Sequence, residues 1–501
     1  MVIAVSAIAT ASAPPTPRLG SLHGWNVVLI TLDATNPERI GVYGGSARTM
    51  PFFDSLARKG LLVMNAYTIT GSTSPAHATL LSGFMPLKHG VLYNGTPLAK
   101  DAFWLPEELH AQGYLTVGST VAFFLHDLNK LDRGFDHFEY PTGPDAATRP
   151  WSSNRVAYQA FREHCLPLLS PAKPFFAMIH LKGGHAPVTP VAEEFLRLFS
   201  KTLPPDKELK APSAEQVALG TVDPVAFRAD QLAYYDANLS EADATLKQIF
   251  ADFKARGLTQ KTLFVVTADH GESYDHGFVG EHWKSPYEST LHVPLLFYTE
   301  SGAIPPGRLT DRLVSHTDLV RTLAYLLGSD FGTGRQSDSM NAFGVTKRMS
   351  MQVSSVSALS YADTIRQLLA NPKSDHAPVL KKDADDLERL GIFYWGRIEL
   401  APDGIYKLLH FGSTDARVLA GNPIRLYNVS ADRAEQVDLL ENGSKKRAIA
   451  VGMLERARDA DPFFGLFMSN LKGSQPEVRD AVTRRLDRET IEKLKSLGYL
   501  Q

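Results

Sequence analysis

Four short apolar runs, spaced by longer amphipathic stretches, constrain the fold of this chain more than any other feature. Asn26–Leu32 reads as a buried strand ending at Asp33, Phe175–His180 as a second, Thr262–Thr267 as a third that stops just before Asp269, and Val293–Tyr298 as a fourth. Helical stretches lie between them, at Met50–Lys59, His77–Ser82, Leu105–Gln112 and Asp230–Arg256. Strands with no polar face need cover on both sides, and alternation with helices supplies it, so the pattern predicts an α/β sheet sandwiched between helices. Polar residues fall just past the carboxyl ends of the first and third strands, which is where open α/β sheets place ligands.

Downstream the character changes. Gly328 to about Ser374 is rich in Gly, Ser and Met with weak periodicity, and reads as loops wrapping the core with a helix near Ala362–Leu369. Phe393–Leu400 and Gly404–Leu409 read as strands joined by the Pro402-Asp403-Gly404 turn, which predicts a small antiparallel subdomain. Ala448–Ala457 and Arg488–Leu497 read as terminal helices. The expected partition is a leader over 1–24, a catalytic domain over 25–390 (core 25–328, wrapping loops 329–390), the antiparallel subdomain over 391–440 and terminal helices over 441–501.

With 52 basic and 54 acidic residues, the net charge of −2 gives no footprint for a nucleic-acid partner, and Lys381-Lys382 and Lys445-Lys446-Arg447 read as solvated surface. The single cysteine, Cys165, excludes an intrachain disulfide and reads as a buried thiol on an amphipathic helix. Met1–Ala13 is small and apolar and ends Ala11-Ser12-Ala13 like a signal-peptidase site, but lacks a basic start. The expectation is a periplasmic or secreted protein with a truncated leader, the alternative a cytoplasmic one. No other apolar run reaches the roughly 20 residues that span a bilayer.

Asp33 and the Asp269-His270 pair, carried to strand ends, make a divalent-metal site. The segment Gly71–Gly90 adds a nucleophile: the Thr73 hydroxyl lies beside a Pro-initiated helix whose free N–H groups and positive end favour an anionic ester. A threonine hydroxyl is a poor nucleophile at neutral pH, and a metal would lower its pKa and align it.

Thr73-Ser74-Pro75-Ala76-His77, followed by Ser82-Gly83 and Pro86-Leu87-Lys88-His89-Gly90, resembles the sulfatase signature, Cys-x-Pro-Ser-Arg followed by Thr-Gly and Pro-x-x-His-Gly. Asn26–Gly44 resembles that family's opening strand and metal aspartate. His180 and His185 fall in its His-x4-His-x-Pro segment, and Thr267–Glu272 resembles its Ser-Asp-His-Gly-Glu metal motif. Lys284–Glu288 resembles its Lys-x-x-x-Tyr-Glu segment with one spacer fewer, and Leu426–Val429 its late Leu-Tyr-Asp-Leu strand. The resemblance implies an alkaline-phosphatase-like mixed sheet between helices, with a small C-terminal antiparallel subdomain.

The departures bear on function. Formylglycine is made from Cys or Ser, so Thr73 implies none; His77 replaces the signature Arg, and Ala34 the second aspartate of an Asp-Asp pair. These features resemble the threonine branch of the superfamily, with its phosphoethanolamine and glycerol-phosphate transferases and its nucleotide pyrophosphatases. That likeness implies a divalent ion (Zn, Mn or Ca) on Asp33, Thr73, Asp269 and His270. It gives His185 and His282 catalytic places near the transferred group or a second metal, and makes His77, Lys284 and His276 substrate contacts. Gly183-Gly184 would let backbone approach a ligand beside His185, while His316 reads as a structural residue opening a helix. The expected activity is hydrolysis or transfer of phosphate or phosphonate esters through a covalent threonine intermediate. The alternatives are a sulfuric ester hydrolase without formylglycine and a silent anion- or partner-binding member. The expected partner is a small, lipid-linked or glycan-linked anionic ester.

Overall fold

The computed structural model describes residues 16–91, 94, 97–122, 125, 130–140, 153–207, 223–283, 285–331, 339–355, 394–411, 424–440, 449, 450, 452–454 and 456. Its main sheet contains β1 (Asn26–Leu32), β2 (Leu61–Tyr67), β3 (Leu115–Thr120), β4 (His137–Glu139), β5 (Phe175–Leu181), β6 (Thr262–Thr267), β7 (His292–Tyr298), β8 (Gly307–Leu309) and β9 (Val314–Ser315). The order is β4-β3-β5-β1-β6-β7-β2-β8, with β9 also on β2. Strands β4, β3, β5, β1 and β6 run parallel, and β7 is antiparallel to both β6 and β2, so the sheet is mixed as expected.

Side-chain alternation explains why these strands carry no polar face. Val27 and Leu29 of β1, Leu263 and Val265 of β6, and Phe176 and Met178 of β5 join one apolar layer. Their neighbours Val28, Ile30, Phe264, Val266, Ala177 and Ile179 join the layer on the opposite face. Helices α2 (Thr73–Ser82), α3 (Leu105–Ala111) and α6 (Asp318–Leu327) cover the first face. Helices α1 (Pro51–Ala57), α4 (Asn154–Ala160) and α5 (Pro224–Ala255) cover the second.

Two helix starts differ from the sequence reading. Helix α2 begins at Thr73 rather than His77, because Pro75 sits in the first turn, where a missing N–H breaks no bond. Helix α5 begins at Pro224, six residues early, with the Asp223 carboxylate accepting from Val225 N. Cys165 is buried on a helical segment, Phe161–Cys165, as expected.

A second, antiparallel sheet has the order β10-β11-β12-β13, built from Ser350–Ser355, Tyr394–Ala401, Gly404–Phe411 and Ile424–Asn428. The Ala401–Gly404 pairing confirms the tight turn through Pro402-Asp403. Its first strand comes from the segment read as wrapping loops, where Ser-Met-Gln-Val-Ser-Ser offered only six residues of alternation. One face of this sheet packs on Tyr67, Ile69 and Tyr287 of the larger domain. Between the two domains Lys407, fully buried, meets Glu288 at 3.2 Å and Glu435 at 2.9 Å, and Arg433 meets Glu288 at 2.8 Å. Such a buried ion cluster fixes one docking geometry, since breaking any pair strands a charge. The described residues of 449–456 are helical; the leader and the helices expected at Ala362–Leu369 and Arg488–Leu497 lie outside the described residues. Among the described residues no helix is long and apolar enough to cross a membrane.

Candidate active site

The site forms at the carboxyl ends of β1, β5 and β6, where the chain turns out of the sheet. Asp33 follows β1, and its N–H extends the ladder to Leu181 O at 3.0 Å. Ala34 then takes a left-handed conformation, φ 49°, a strained state for a residue with a Cβ. The turn is held from α5: Tyr235 Oη donates to Ala34 O at 2.7 Å and accepts from Asn36 N at 2.8 Å. The Gly183-Gly184 pair makes this close packing possible. A Cβ on Gly183, itself at φ 57°, would lie 2.0 Å from Asp33 O, and one on Gly184 would lie 2.2 Å from the Tyr235 ring.

Asp33, Asp269 and His270 are fully buried, and their ligand-type atoms lie within 4.8 Å of one another. His270 Nδ1 donates to Gly271 O at 3.0 Å, which leaves Nε2 as a lone pair facing Asp33 Oδ1 and Asp269 Oδ2, each at 3.5 Å. Both Asp33 oxygens and Asp269 Oδ2 are buried without a hydrogen-bond partner. Burial and the neighbouring Asp33 push the Asp269 carboxyl up to about 7, and burial also raises Asp33. Buried acceptors converging with nothing to accept from are what a hard or borderline cation satisfies, so the donor set fits a divalent ion. Thr73 Oγ1 lies 3.3 Å from His270 Nε2, at the first turn of α2. The residues expected as metal ligands are thus brought together from β1, β6 and α2.

Two further histidines stand above them. The His270 and His282 rings stack at 4.5 Å between centroids, and His185 lies 4.9 Å from His282. Both His185 and His282 are half-buried, whereas Thr73 and the acidic pair are buried, so the site opens on the histidine side. His282 Nδ1 donates to Glu272 Oε1 at 3.0 Å, and Ala186 N to Glu272 Oε2 at 3.4 Å. Glu272 therefore fixes both histidine loops, although the sequence reading gave this motif residue no task. Lys182 was missed as well, because it continues an apolar strand. Its ammonium is buried, donates to Asn238 Oδ1 at 2.6 Å and feels Glu241, Asp33 and Glu272, while burial lowers it to about 8.

The expected substrate contacts fare differently. His77 is completely buried beneath Thr73, with Nδ1 donating to Thr73 O at 2.8 Å and Nε2 3.0 Å from Thr31 Oγ1; both ring nitrogens are engaged inside the protein. His276 stacks on Tyr287 at 3.6 Å and donates through Nε2 to Glu435 O at 3.0 Å, so it faces the smaller domain. Lys284 lies outside the described residues. His316 is buried just before α6, as a structural residue would be.

A mixed α/β sheet with a hydroxyl at a helix start and a carboxylate–imidazole cluster at its carboxyl edge is the arrangement of the alkaline-phosphatase-like class of ester hydrolases. Within that class the chain belongs to the Sulfatase family, whose model it matches over residues 25–329. It is similar to N-acetylgalactosamine-6-sulfatase of Canis lupus familiaris, 24% identical over 66% of this chain and 65% of that protein. It also resembles the arylsulfatase of Clostridium perfringens, 22% identical over 60% of this chain and 74% of the relative. The match thus spans a little under two thirds of the first relative's length. Among solved structures, the phosphonate monoester hydrolase of Agrobacterium radiobacter superposes with a TM-score of 0.61 at 19% identity, covering 88% of this chain and 96% of that one. A 2-O glycosaminoglycan sulfatase superposes with a TM-score of 0.64 at 18% identity, covering 91% and 96%. Enzymes of this family generally use a divalent metal.

Proposed function

We propose that the protein is a metal-dependent hydrolase of sulfate esters that uses the unmodified Thr73 hydroxyl as its nucleophile. The observation that carries the reading is the hydroxyl itself, at a helix start and 3.3 Å from His270 Nε2, which also faces the partnerless oxygens Asp33 Oδ1 and Asp269 Oδ2. The sulfatases among the relatives favour sulfate over the phosphoesters expected from the sequence.

A divalent ion on Asp33, Asp269 and His270 would supply charge neutralisation and make the nearby hydroxyl more acidic. The chain's own groups do the rest. Thr73 enters as the alkoxide, its proton already given to solvent, and attacks the sulfur in line; an O–S bond forms to the threonine and the S–O bond to the leaving alkoxide breaks. His282, oriented by Glu272, delivers a proton to that alkoxide. His185, with the positive end of helix α2 at Thr73, balances charge on the transferred group. Water gives its proton to the now neutral His282 and attacks the same sulfur; the S–O bond to Thr73 breaks, sulfate leaves, and the threonine alkoxide and protonated His282 are restored. His77 acts by holding the Thr73 backbone rather than by touching substrate.

Phosphate or phosphonate monoesters are the second reading. Thr73 favours it, because a simple alkoxide adduct suits phosphoryl transfer, and the phosphonate hydrolase fold is close. Purified protein, metal-loaded and metal-stripped, is to be assayed on 4-nitrophenyl sulfate, 4-nitrophenyl phosphate, bis-4-nitrophenyl phosphate and 4-nitrophenyl phenylphosphonate. The proposal expects metal-dependent turnover, fastest on sulfate and lost in Thr73→Ala with the melting temperature unchanged. Full activity in that variant removes the nucleophile, and faster phosphonate turnover selects the second reading.

A further inference from the structure

One imidazole at the edge of this cluster has a lone pair and no partner for it. We propose that His180 is a ligand of the same cation through Nε2, replacing the carboxylate absent at Ala34; this rests on the metal-dependent reading above.

The argument follows a chain of hydrogen bonds whose direction is set from one end. The Thr73 carbonyl can only accept, so the His77 Nδ1 at 2.8 Å carries the hydrogen. With the ring hydrogen on Nδ1, His77 Nε2 is the lone pair that accepts from the Thr31 hydroxyl at 3.0 Å. That uses the only hydrogen Thr31 Oγ1 has. At 2.9 Å from His180 Nδ1, the same oxygen therefore accepts, and His180 Nδ1 carries the proton of that ring. The other ring nitrogen, Nε2, is buried and has no hydrogen-bond partner among the described residues.

That bare nitrogen lies 3.4 Å from Asp33 Oδ2, and neither atom has a hydrogen-bond partner. Two lone pairs facing each other in a dry site repel, and a cation between them turns the contact attractive. Ligands about 2.1 Å from one ion and adjacent around it are roughly 3.0–3.4 Å apart, close to the 3.4 Å here and the 3.5 Å of each His270 contact, and a ring nitrogen of His180 also falls within 4.8 Å of an Asp269 oxygen. Asp33 then offers Oδ1 toward His270 and Oδ2 toward His180. Ala34, next in the chain, has no donor side chain, and only its N–H reaches the cluster, donating to Asp269 Oδ1 at 3.3 Å. Thr31 becomes the group that fixes the tautomer of His180, a partner that ligating histidines nearly always have. The wire from Thr73 O through His77 and Thr31 to His180 also ties the nucleophile's backbone to the ion.

The test uses the full chain with Mn2+ as the probe, reading affinity by titration and the number of directly coordinated imidazole nitrogens by pulsed EPR. The expected result is two nitrogens in the wild type. His180→Gln is expected to show one nitrogen and about 100-fold weaker binding, and Thr31→Val, which keeps the imidazole but frees its tautomer, about 10-fold weaker binding. A single nitrogen in the wild type, or unchanged count and affinity in His180→Gln, overturns the His180 assignment and leaves the metal reading standing. A wild type that takes up no Mn2+, Zn2+ or Ca2+ overturns both. If His180→Gln does not fold, Thr31→Val decides, and unchanged affinity there overturns the proposal.

Discussion

Replacing Asp33 with asparagine separates a ligand's role from a structural one, because the two make opposite predictions for the metal-free protein. Its ligand-type atoms lie within 4.8 Å of those of Asp269, in a site with no exposure. Two like charges at that spacing repel by about 3.5 kcal/mol at an effective dielectric of about 20. Burial and Asp33 hold the Asp269 carboxyl near 7, so at neutral pH it is half protonated and roughly 2 kcal/mol of repulsion remains. Asp33→Asn keeps the shape and removes that strain. Without metal, the variant is expected to melt a few degrees above the wild type. With metal at 100 times its Kd, the wild type gains about 2.7 kcal/mol and the variant gains nothing. Turnover falls at least about 10³-fold, since several kcal/mol of charge stabilisation go with the ion. Thermal melts of both proteins, with chelator and with saturating metal, supply the comparison. A variant that melts below the wild type under chelator, yet keeps the metal-induced rise, would refute the reasoning.

Three other perturbations probe the scaffold. Glu272→Ala removes the acceptor that orients His282, and kcat should fall about 10–100-fold with KM little changed; a change confined to KM would move His282 from proton transfer to binding. Gly183→Ala drives a methyl group to 2.0 Å from Asp33 O and should destabilise by at least about 3 kcal/mol in urea, whereas Gly257→Ala, at φ 68° with open space around it, should cost about 1 kcal/mol. Equal losses in the two would show that the loop yields. Asp243 caps the N–H groups of Phe52 and Phe53 from α5, and burial raises it from 3.8 to about 6. A carboxyl raised on folding favours the protonated native state, so its contribution is fullest below pH 3.8 and is lost as pH rises through 6, about 3 kcal/mol in all. Unfolding free energies of wild type and Asp243→Asn between pH 4 and 7 should differ by that slope, and parallel curves would remove it.

Much of the site could be read from the sequence because its parts follow strands. An apolar run that stops at Asp33, and another just before Asp269, mark a sheet's carboxyl edge whatever the topology. The hydroxyl of Thr73 was legible for a similar reason: Pro75 marks a helix start, although it falls inside the first turn and not before it. What escaped was polar function hidden in apolar context. Thr31 and Lys182 continue strands whose neighbours are all core, so periodicity assigns them to packing. His276 sits four residues past the motif glutamate Glu272, yet its left-handed backbone, φ 50°, turns it toward Glu435, a partner 159 residues away that no local pattern announces. Strand β10 escaped because its pairing with β11 spans a long insertion and its own alternation covers only six residues.

The exchange of a carboxylate for an imidazole around the ion bears on why a plain threonine can serve. Asp33 and Asp269 contribute two negative charges, and His270 and His180 contribute none, so a divalent ion bound among them is neutralised but not overcompensated. A third carboxylate at position 34 would leave the cluster anionic, which opposes forming an alkoxide 3.3 Å from His270 Nε2. Each full charge at about 4 Å is worth about 4 kcal/mol at an effective dielectric near 20, or about three decades in hydroxyl acidity. On the proposed reading, Ala34 in place of an aspartate, the bare nitrogen of His180 and a threonine hydroxyl at position 73 answer one electrostatic requirement: an ion held there would have to stay electrophilic enough to hold the charge of Thr73.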